Sequence, residues 1–465
     1  MSHSIKELIK YMDRGKRGRR VPEREWDNVI VPQTLNEVAK KYGLLKTCDL
    51  KNPVNMDLEL ADTFYKAGKE VALRLGLYNT DTETITTITE EELEASLKAA
   101  PSKLVLGKGL NEVVIEARKP EDGVSPAFGG PLSIQMNEEY YVPLISETLK
   151  SRLVDVHEGP SLDTIYGSPL LANTPYETAA SFYEMEMRKK AQYLAGRQGM
   201  PNMLVSSSST EYGNLATFAM WEQPQIALVL IPSSLKTNYC SLHKCVQTLA
   251  VGGYIESGSP NMIGGFTGGP ETTALSNIAD DLLQYSIHQA HMSGAPCYDI
   301  RYSGNCDRHA LWSQSISTQA IARNTHLIML KTINQVAGPC TEMFYKESIV
   351  GFAANSASGL TYTIGPRSAG GKYKNHLTPL DIWFAAACHK AGGKITLKKA
   401  NEIANTLIPE YEKWHKEDPP AGRPINELYD MDTMIPIPEH KEMYLRMRKL
   451  SAELGMPLPS DGIYD

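Results

Sequence analysis

The sequence predicts an α/β fold, a (β/α)8 TIM barrel with an added N-terminal helical layer and small β excursions. Three observations point there. Short apolar runs recur along the second half of the chain: "MLVSS", "IALVLI", "GGYIESG", "CYDIRYSG", "THLIMLKTI" and "GLTYTIG". Each ends in polar, Gly or Pro residues or runs straight into them. Helix-length stretches, such as residues 271–290 and 308–322, lie between several of the runs. Strand followed by helix, repeated without a period in the residues themselves, is the pattern of parallel strands joined by crossover helices. An open doubly wound sheet is the alternative arrangement.

The bulk properties fit that class. At 465 residues the chain exceeds the usual single domain, and a large barrel with an attached helical region accommodates it as one unit. Hydrophobic residues make up 42% and charged residues 22%, a composition that folds. A net charge of −7 argues against general nucleic-acid binding. The seven cysteines are dispersed and never form CxxC, which predicts a reducing, cytoplasmic setting. The first twenty residues lack the apolar core of a signal peptide. No stretch reaches the roughly 18–20 apolar residues of a membrane span.

Four regions follow in order. Residues 1–100 predict the helical layer packed on the barrel. It opens with the basic patch "DRGKRGRRVPEREWD", a solvated turn or a docking surface for an acidic partner. Leu60, Phe64, Ala67, Val71 and Leu75 then recur at three and four residues, one buried helix face that Gly76 stops. Thr89 and Glu92 suit a capping box. Residues 101–170 predict the strand- and hairpin-rich start of the barrel, with hairpins closing one end. Residues 171–400 hold the main β/α repeats. Their clearest helix start is "NTPYE", in which Thr174 caps, Pro175 takes the first turn and Glu177 returns a bond. Residues 401–465 predict C-terminal helices.

In a barrel the residues just after each strand converge on one face, so they become candidates together. Glu211 and Tyr212 follow the serine tract of "AGRQGMPNMLVSSSSTEYG". Glu211 can bind a cation or take a proton, and Tyr212 can offer a hydroxyl and a ring face. Glu256 sits among small residues that leave room for a ligand, and a buried, unpaired carboxyl there carries a raised pKa. These three are the predicted catalytic residues. Ser208, Asp299, Arg301, Asn334 and Gln335 are the predicted substrate contacts. Alternation places Asp299 and Arg301 on one strand face, as a ligand-orienting pair or a structural one. Gly264, Gly265, Gly268 and Gly269 precede a helix start and are predicted to approach a cofactor, a tight loop being the plainer alternative. The HxxH of His288 and His291 lacks the pattern of a zinc site, and no metal is expected.

Segments spread over nearly the whole chain resemble the monomethylamine:corrinoid methyltransferase family. They are "DRGKRGRRVPEREWDNVIVP", "LVLGKGLNEVV", "GGPLS", "SPLLANTPYE", "AGRQGM", "GGFTGG", "ETT" and "AGPCTEM", in common order. The resemblance implies a TIM barrel, methyl transfer from a methylated amine to the cobalt of a separate corrinoid protein, and homo-oligomers. The corrinoid, a cobalamin, belongs to that partner and enters the barrel mouth; no tightly bound cofactor is expected in this chain. The family's pyrrolysine follows the "AGR-G-M" stretch, and Pro201 stands there in this sequence. One family carboxylate position falls on Gly258, two residues beyond Glu256. Another falls in the stretch from Gln223 to Leu230, and the family's Gln and Tyr fall near Thr332 and Asn334. The expected reaction is therefore pyrrolysine-independent. Its donor is a small methylated amine, extended to a quaternary ammonium, which already carries the charge that methyl departure needs. Alternatives are a non-amine methyl donor, or a noncatalytic protein that binds the corrinoid protein.

Overall fold

The structure, a computed structural model, describes residues 3–464 apart from Ser133, Val205, Ser206, Ser208, Ala295 and Ser303. Its centre is a ring of parallel strands: β1 (Ala127–Gly130), β2 (Val156–His157), β3 (Met203–Leu204), β4 (Ile226–Leu230), β5 (Tyr254–Gly258), β6 (Met292–Ser293), β7 (Leu330–Asn334) and β8 (Tyr362–Arg367). Neighbours in sequence pair in parallel, and β8 returns to β1. Two seams are closed by isolated bridges, His157 with Asn202 between β2 and β3, and Ser293 with Met329 between β6 and β7. The eight-stranded parallel ring closes without an edge, which is the TIM barrel and not the open sheet.

Among the described residues, fourteen principal helices surround the ring. The N-terminal layer has α1 (Ile5–Lys16), α2 (Val31–Lys41), α3 (Leu58–Leu75) and α4 (Glu90–Ala99). Each barrel strand is then followed by its helix: α5 (Glu138–Thr148), α6 (Pro175–Leu194), α7 (Glu211–Phe218), α8 (Tyr239–Ala250), α9 (Pro270–Ile287), α10 (Arg308–Asn324), α11 (Glu342–Ala357) and α12 (Pro379–Gly392). The C-terminal helices are α13 (Leu397–Tyr411) and α14 (Pro438–Glu453).

The local signals hold in detail. Thr89 and Glu92 form the reciprocal capping box of α4. Phe64, Ala67, Val71 and Leu75 of α3 are buried in one cluster with Ile278 and Leu282 of α9 and Trp312 and Ile316 of α10. Gly68 lets the helices approach, since a Cβ there would strike the Ile278 side chain at 2.6 Å or less. Thr174 caps α6 and Pro175 opens it. Glu177 departs from expectation: it reaches the amide of Asn173, not that of Thr174, and continues to a distant loop.

A hairpin of Lys103–Leu106 with Val113–Glu116 closes one end. Its Leu104, Leu106 and Ile115 share a buried cluster with Val156, Met203, Ile226 and Met292, the residues that begin four barrel strands. The N-terminal end of the barrel is thus plugged by apolar side chains. One strand assignment is corrected. "CYDIRYSG" is not a barrel strand: Cys297–Asp299 pairs with Asn261–Ile263 outside the ring. The sixth barrel strand is the two-residue Met292–Ser293, too short to leave an apolar run.

Candidate active site

Period-two alternation decides what enters the barrel. The residues buried together inside the ring are Ala127, Val156, Met203, Ile226, Leu228, Met292, Leu330, Tyr362 and Ile364. Two residues on from Val156 lies Glu158, and two on from Tyr254 lies Glu256, so both carboxyls share that interior. Glu158 is fully buried and Glu256 is 1% exposed. Both Glu158 oxygens and Glu256 Oε2 are buried with no hydrogen-bond partner among the described residues. Burial, then the nearby charges of Glu158 and Asp281, holds the Glu256 carboxyl well above the usual carboxylate range. Burial does the same to Glu158, against an opposing pull from Arg188. Uncompensated acids in a dry interior are costly, and they recur at functional sites for that reason.

A polar bracket stands behind Glu158. Arg188 of α6 is buried; its Nε donates to Glu184 Oε1 (3.0 Å), and its Nη1 to the carbonyls of His157 (3.4 Å) and Met203 (3.3 Å). The Tyr141 hydroxyl donates to the same Glu184 oxygen (3.0 Å). Gly159 permits this approach, because a Cβ there would lie 2.7 Å from both Arg188 Nη2 and the Tyr141 oxygen. The backbone on both sides of Glu158 is therefore pressed against one guanidinium. Sequence reasoning missed Glu158 and Arg188. Glu158 follows the strand Val156–His157, too short to be recognised, and Arg188 looks like an ordinary charge on a helix.

The described residues after β3, Ser207, Ser209 and Thr210, are held by two acids of α6. Glu177 accepts from the amides of Ser209 (3.1 Å) and Thr210 (2.7 Å) and from the Thr210 hydroxyl (2.8 Å). Glu184 Oε2 accepts from the Ser207 amide (3.1 Å), and the Ser207 hydroxyl accepts from the Leu162 amide (2.7 Å). Ser208, a predicted substrate contact, lies outside the described residues.

The other predicted residues separate. Glu211 and Tyr212 open α7 on the rim, where Tyr212 is 56% exposed. The charged neighbours of Glu211 are His243 and Lys244, whereas those of Glu256 are Glu158 and Asp281. The expected trio of Glu211, Tyr212 and Glu256 is not assembled, because the first two follow their strand on a helix while Glu256 is within one. Asn334 is buried at the end of β7, with its Nδ2 on the Tyr298 hydroxyl (2.6 Å) and its amide N–H on Asn305 Oδ1 (2.9 Å). Gln335 turns outward and donates to Ser348 of α11 (3.0 Å). Asp299 and Arg301 do pair, with Arg301 Nε on Asp299 Oδ1 at 2.8 Å and Nη2 on Oδ2. They do so outside the ring, in a turn where the Arg301 side chain is 56% exposed, the structural pair of the two alternatives.

Pro201 precedes β3 at the plugged end, where its carbonyl accepts from the His157 amide (2.9 Å) and its ring backs the hairpin at Gly107. A side chain at that position does not face the mouth. Gly258 cannot carry a side chain without backbone movement, because a Cβ would overlap the Gly294 carbonyl. The glycine loop consumes its own amides: Gly264 donates to Gly268, Gly265 to Met262 and Gly268 to Gly265. That leaves a tight turn in place of the cofactor cradle expected of Gly264, Gly265, Gly268 and Gly269. His288 is a buried structural residue bonded to Thr237 and Ser257, and burial pushes it down to about 3. Asp299, Asp307 and His309 offer ligand atoms within 4.8 Å of one another, but Arg301 already takes both oxygens of Asp299.

A TIM barrel plugged at one end, with two buried acids in its interior, has the architecture of the barrel enzymes. Comparison with known proteins gives the family. The family described as Monomethylamine methyltransferase MtmB matches residues 7–456. Monomethylamine methyltransferase MtmB of Methanosarcina mazei is 27% identical over 457 residues, covering 96% of this chain and 97% of its own. MtmB3 of Methanosarcina barkeri is similar at 27% with the same coverage. The crystal structure of the Methanosarcina barkeri monomethylamine methyltransferase superposes with a TM-score of 0.92 at 25% identity, covering 97% of this chain and 98% of that one. A hydroxylamine complex of MtmB matches equally well. The chain belongs to the monomethylamine methyltransferase MtmB family and is a methyltransferase.

Proposed function

We propose that the protein moves a methyl group from a small methylated amine, bound as its ammonium, to the cobalt of a separate corrinoid protein. The observation that carries this reading is the pair of buried acids Glu158 and Glu256. Their three unpartnered oxygens want N–H donors, and their burial wants a cation. A methylammonium supplies both. A quaternary ammonium supplies charge without N–H groups, so the interior favours a donor that keeps them, and the expectation is narrowed accordingly. Methyl transfer breaks the C–N bond with its electron pair going to nitrogen, and the proton already on nitrogen lets it leave as a neutral amine.

Cobalt(I), carried by the partner's corrinoid, supplies the nucleophile. Its route in this reading is the C-terminal mouth, because apolar side chains plug the opposite end. That rim carries exposed Tyr212, Leu215, Leu230, Met262 and Ile300, an apolar surface suited to a docking protein. The chain's own groups bind and orient. Glu158 and Glu256 hold the ammonium, while Leu228 and Ile364 keep the site dry.

The test combines the purified protein, a reduced corrinoid protein and methylamine, dimethylamine, trimethylamine or tetramethylammonium, and follows methyl–cobalt formation optically. The expected result is a signal with N–H-bearing ammonium donors that disappears in Glu158→Gln and Glu256→Gln. A signal confined to tetramethylammonium, or one indifferent to both substitutions, would overturn the assignment.

A further inference from the structure

We infer that the cavity between α6 and the two loops that lead into β3 and β4 is a binding site for a small organic anion, separate from the barrel interior. The cavity holds about 460 Å³, within the range of metabolite sites. Neither Glu158 nor Glu256 is among the described residues that line it, so its ligand is not the methyl donor.

The floor is a pair of buried amides whose orientation the protein fixes. The backbone N–H of Asn202 donates to Gln225 Oε1 (2.6 Å), and Gln192 Nε2 donates to Asn202 Oδ1 (3.0 Å). Gln192 Nε2 also meets His157 Nδ1 (3.2 Å), which holds the set from behind. Both amide oxygens of Asn202 and Gln225 are thus spent on the protein. Their NH2 groups, Asn202 Nδ2 and Gln225 Nε2, donate to nothing among the described residues, although both side chains line the cavity and the residues are 6% and 4% exposed. Amide N–H groups left without an acceptor in a buried setting cost free energy, and a ligand oxygen removes that cost.

The rim supplies positive charge. Its charged residues are Lys108, Arg188, Lys189, Lys190 and Glu222. Glu184 holds Arg188 (3.0 Å), and Glu222 holds Lys189 (2.7 Å). Lys108 Nζ donates to the Glu222 carbonyl (3.2 Å), and neither it nor Lys190 pairs with a carboxylate among the described residues. Two ammonium groups above two amide NH2 groups call for a carboxylate or phosphate head. Met185, Met200 and Met220 complete the walls, apolar and adaptable, and they call for an organic body beside that head.

The test is titration calorimetry on the full-length protein with benzoate and phenyl phosphate. Acetate and inorganic phosphate serve as the heads alone, and benzyl alcohol as a neutral body. Benzoate or phenyl phosphate is expected to bind at least about tenfold tighter than its head alone, and benzyl alcohol not to bind. Lys108→Gln combined with Lys190→Gln, both exposed, is expected to weaken that binding by about tenfold or more. No binding up to about 10 mM, no gain over the head alone, equal binding of benzyl alcohol, or an affinity unchanged in the double variant overturns the inference. Crystals soaked in para-bromobenzoate locate the ligand by its bromine signal. A carboxylate on Asn202 Nδ2 and Gln225 Nε2 supports the site, and bromine found only elsewhere overturns it.

Discussion

Glu177, in the first turn of α6, accepts both the backbone amide and the hydroxyl of Thr210, at 2.7 and 2.8 Å. The two residues are 33 apart in sequence, and this contact ties Thr210 to α6. Burial alone would raise the Glu177 carboxyl, but the bonds from Thr210, Asn173 and Ser209 bring it below its ordinary value. Its stabilising contribution is therefore present above pH 4.5 and is lost as pH falls through the depressed folded value. Glu177→Gln is expected to cost about 2–3 kcal/mol at neutral pH, because a neutral amide replaces a charged acceptor of buried amides. Denaturant unfolding at pH 7 and at pH 3 checks this; the cost should shrink at the lower pH.

The interior of the barrel makes the opposite prediction for acid titration. Burial pushes Asp281 up from 3.8 to about 6, with Lys331 and the Ser293 hydroxyl opposing it. The folded protein binds this proton more tightly than the unfolded chain, so stability falls as pH rises from about 4 to about 6. Asp281→Asn should flatten that part of the stability curve, removing a loss of about 3 kcal/mol. A thermal or urea series from pH 4 to 7 measures it, and an unchanged slope would contradict the assignment.

Gly258 tests the alignment with the family's carboxylate. Installing an acid there, as Gly258→Glu, is not expected to create a second substrate ligand. The Cβ would overlap the Gly294 carbonyl between β5 and β6. Even Gly258→Ala should cost on the order of 2 kcal/mol or more by forcing the two strands apart. The measurement is the unfolding midpoint of Gly258→Ala beside that of a solvent-exposed alanine control.

Arg301 separates rim from site. Arg301→Gln leaves Asp299, only 1% exposed, without its cation and is expected to cost about 1–3 kcal/mol. Methylammonium affinity should stay within about twofold of wild type, since the pair lies outside the ring of strands and away from Glu158 and Glu256. Titration calorimetry on the folded variant decides this, and a large affinity loss would return Arg301 to the site.

Legibility in the sequence followed the length of the apolar run around each strand, so that "MLVSS" showed even the two-residue Met203–Leu204. The five-residue strands Ile226–Leu230 and Tyr254–Gly258 announced themselves as apolar runs, and so did the six-residue Tyr362–Arg367. Two-residue Val156–His157 and Met292–Ser293 carry too few side chains to show alternation. Glu158 was hidden because its strand was. Glu256 was visible because its strand was long enough to display an acid among small and apolar neighbours.

By itself the sequence determined the barrel class, the capped helices and the stripe of α3, since propensity, capping and periodicity act over a few neighbouring residues. It also carried the resemblance to the family, which the match over residues 7–456 bears out. Tertiary structure alone decided which acids meet. Glu158 and Glu256 are nearly a hundred residues apart, and Arg188 reaches the backbone beside Glu158 from a helix. Closing the ring sets them in one dry chamber, and a charge in such a chamber is governed by what folding places beside it. The same closure put Pro201 at the plugged end and Glu211 on the rim, because the side of a barrel that a residue occupies depends on strand direction and register, which involve the whole ring.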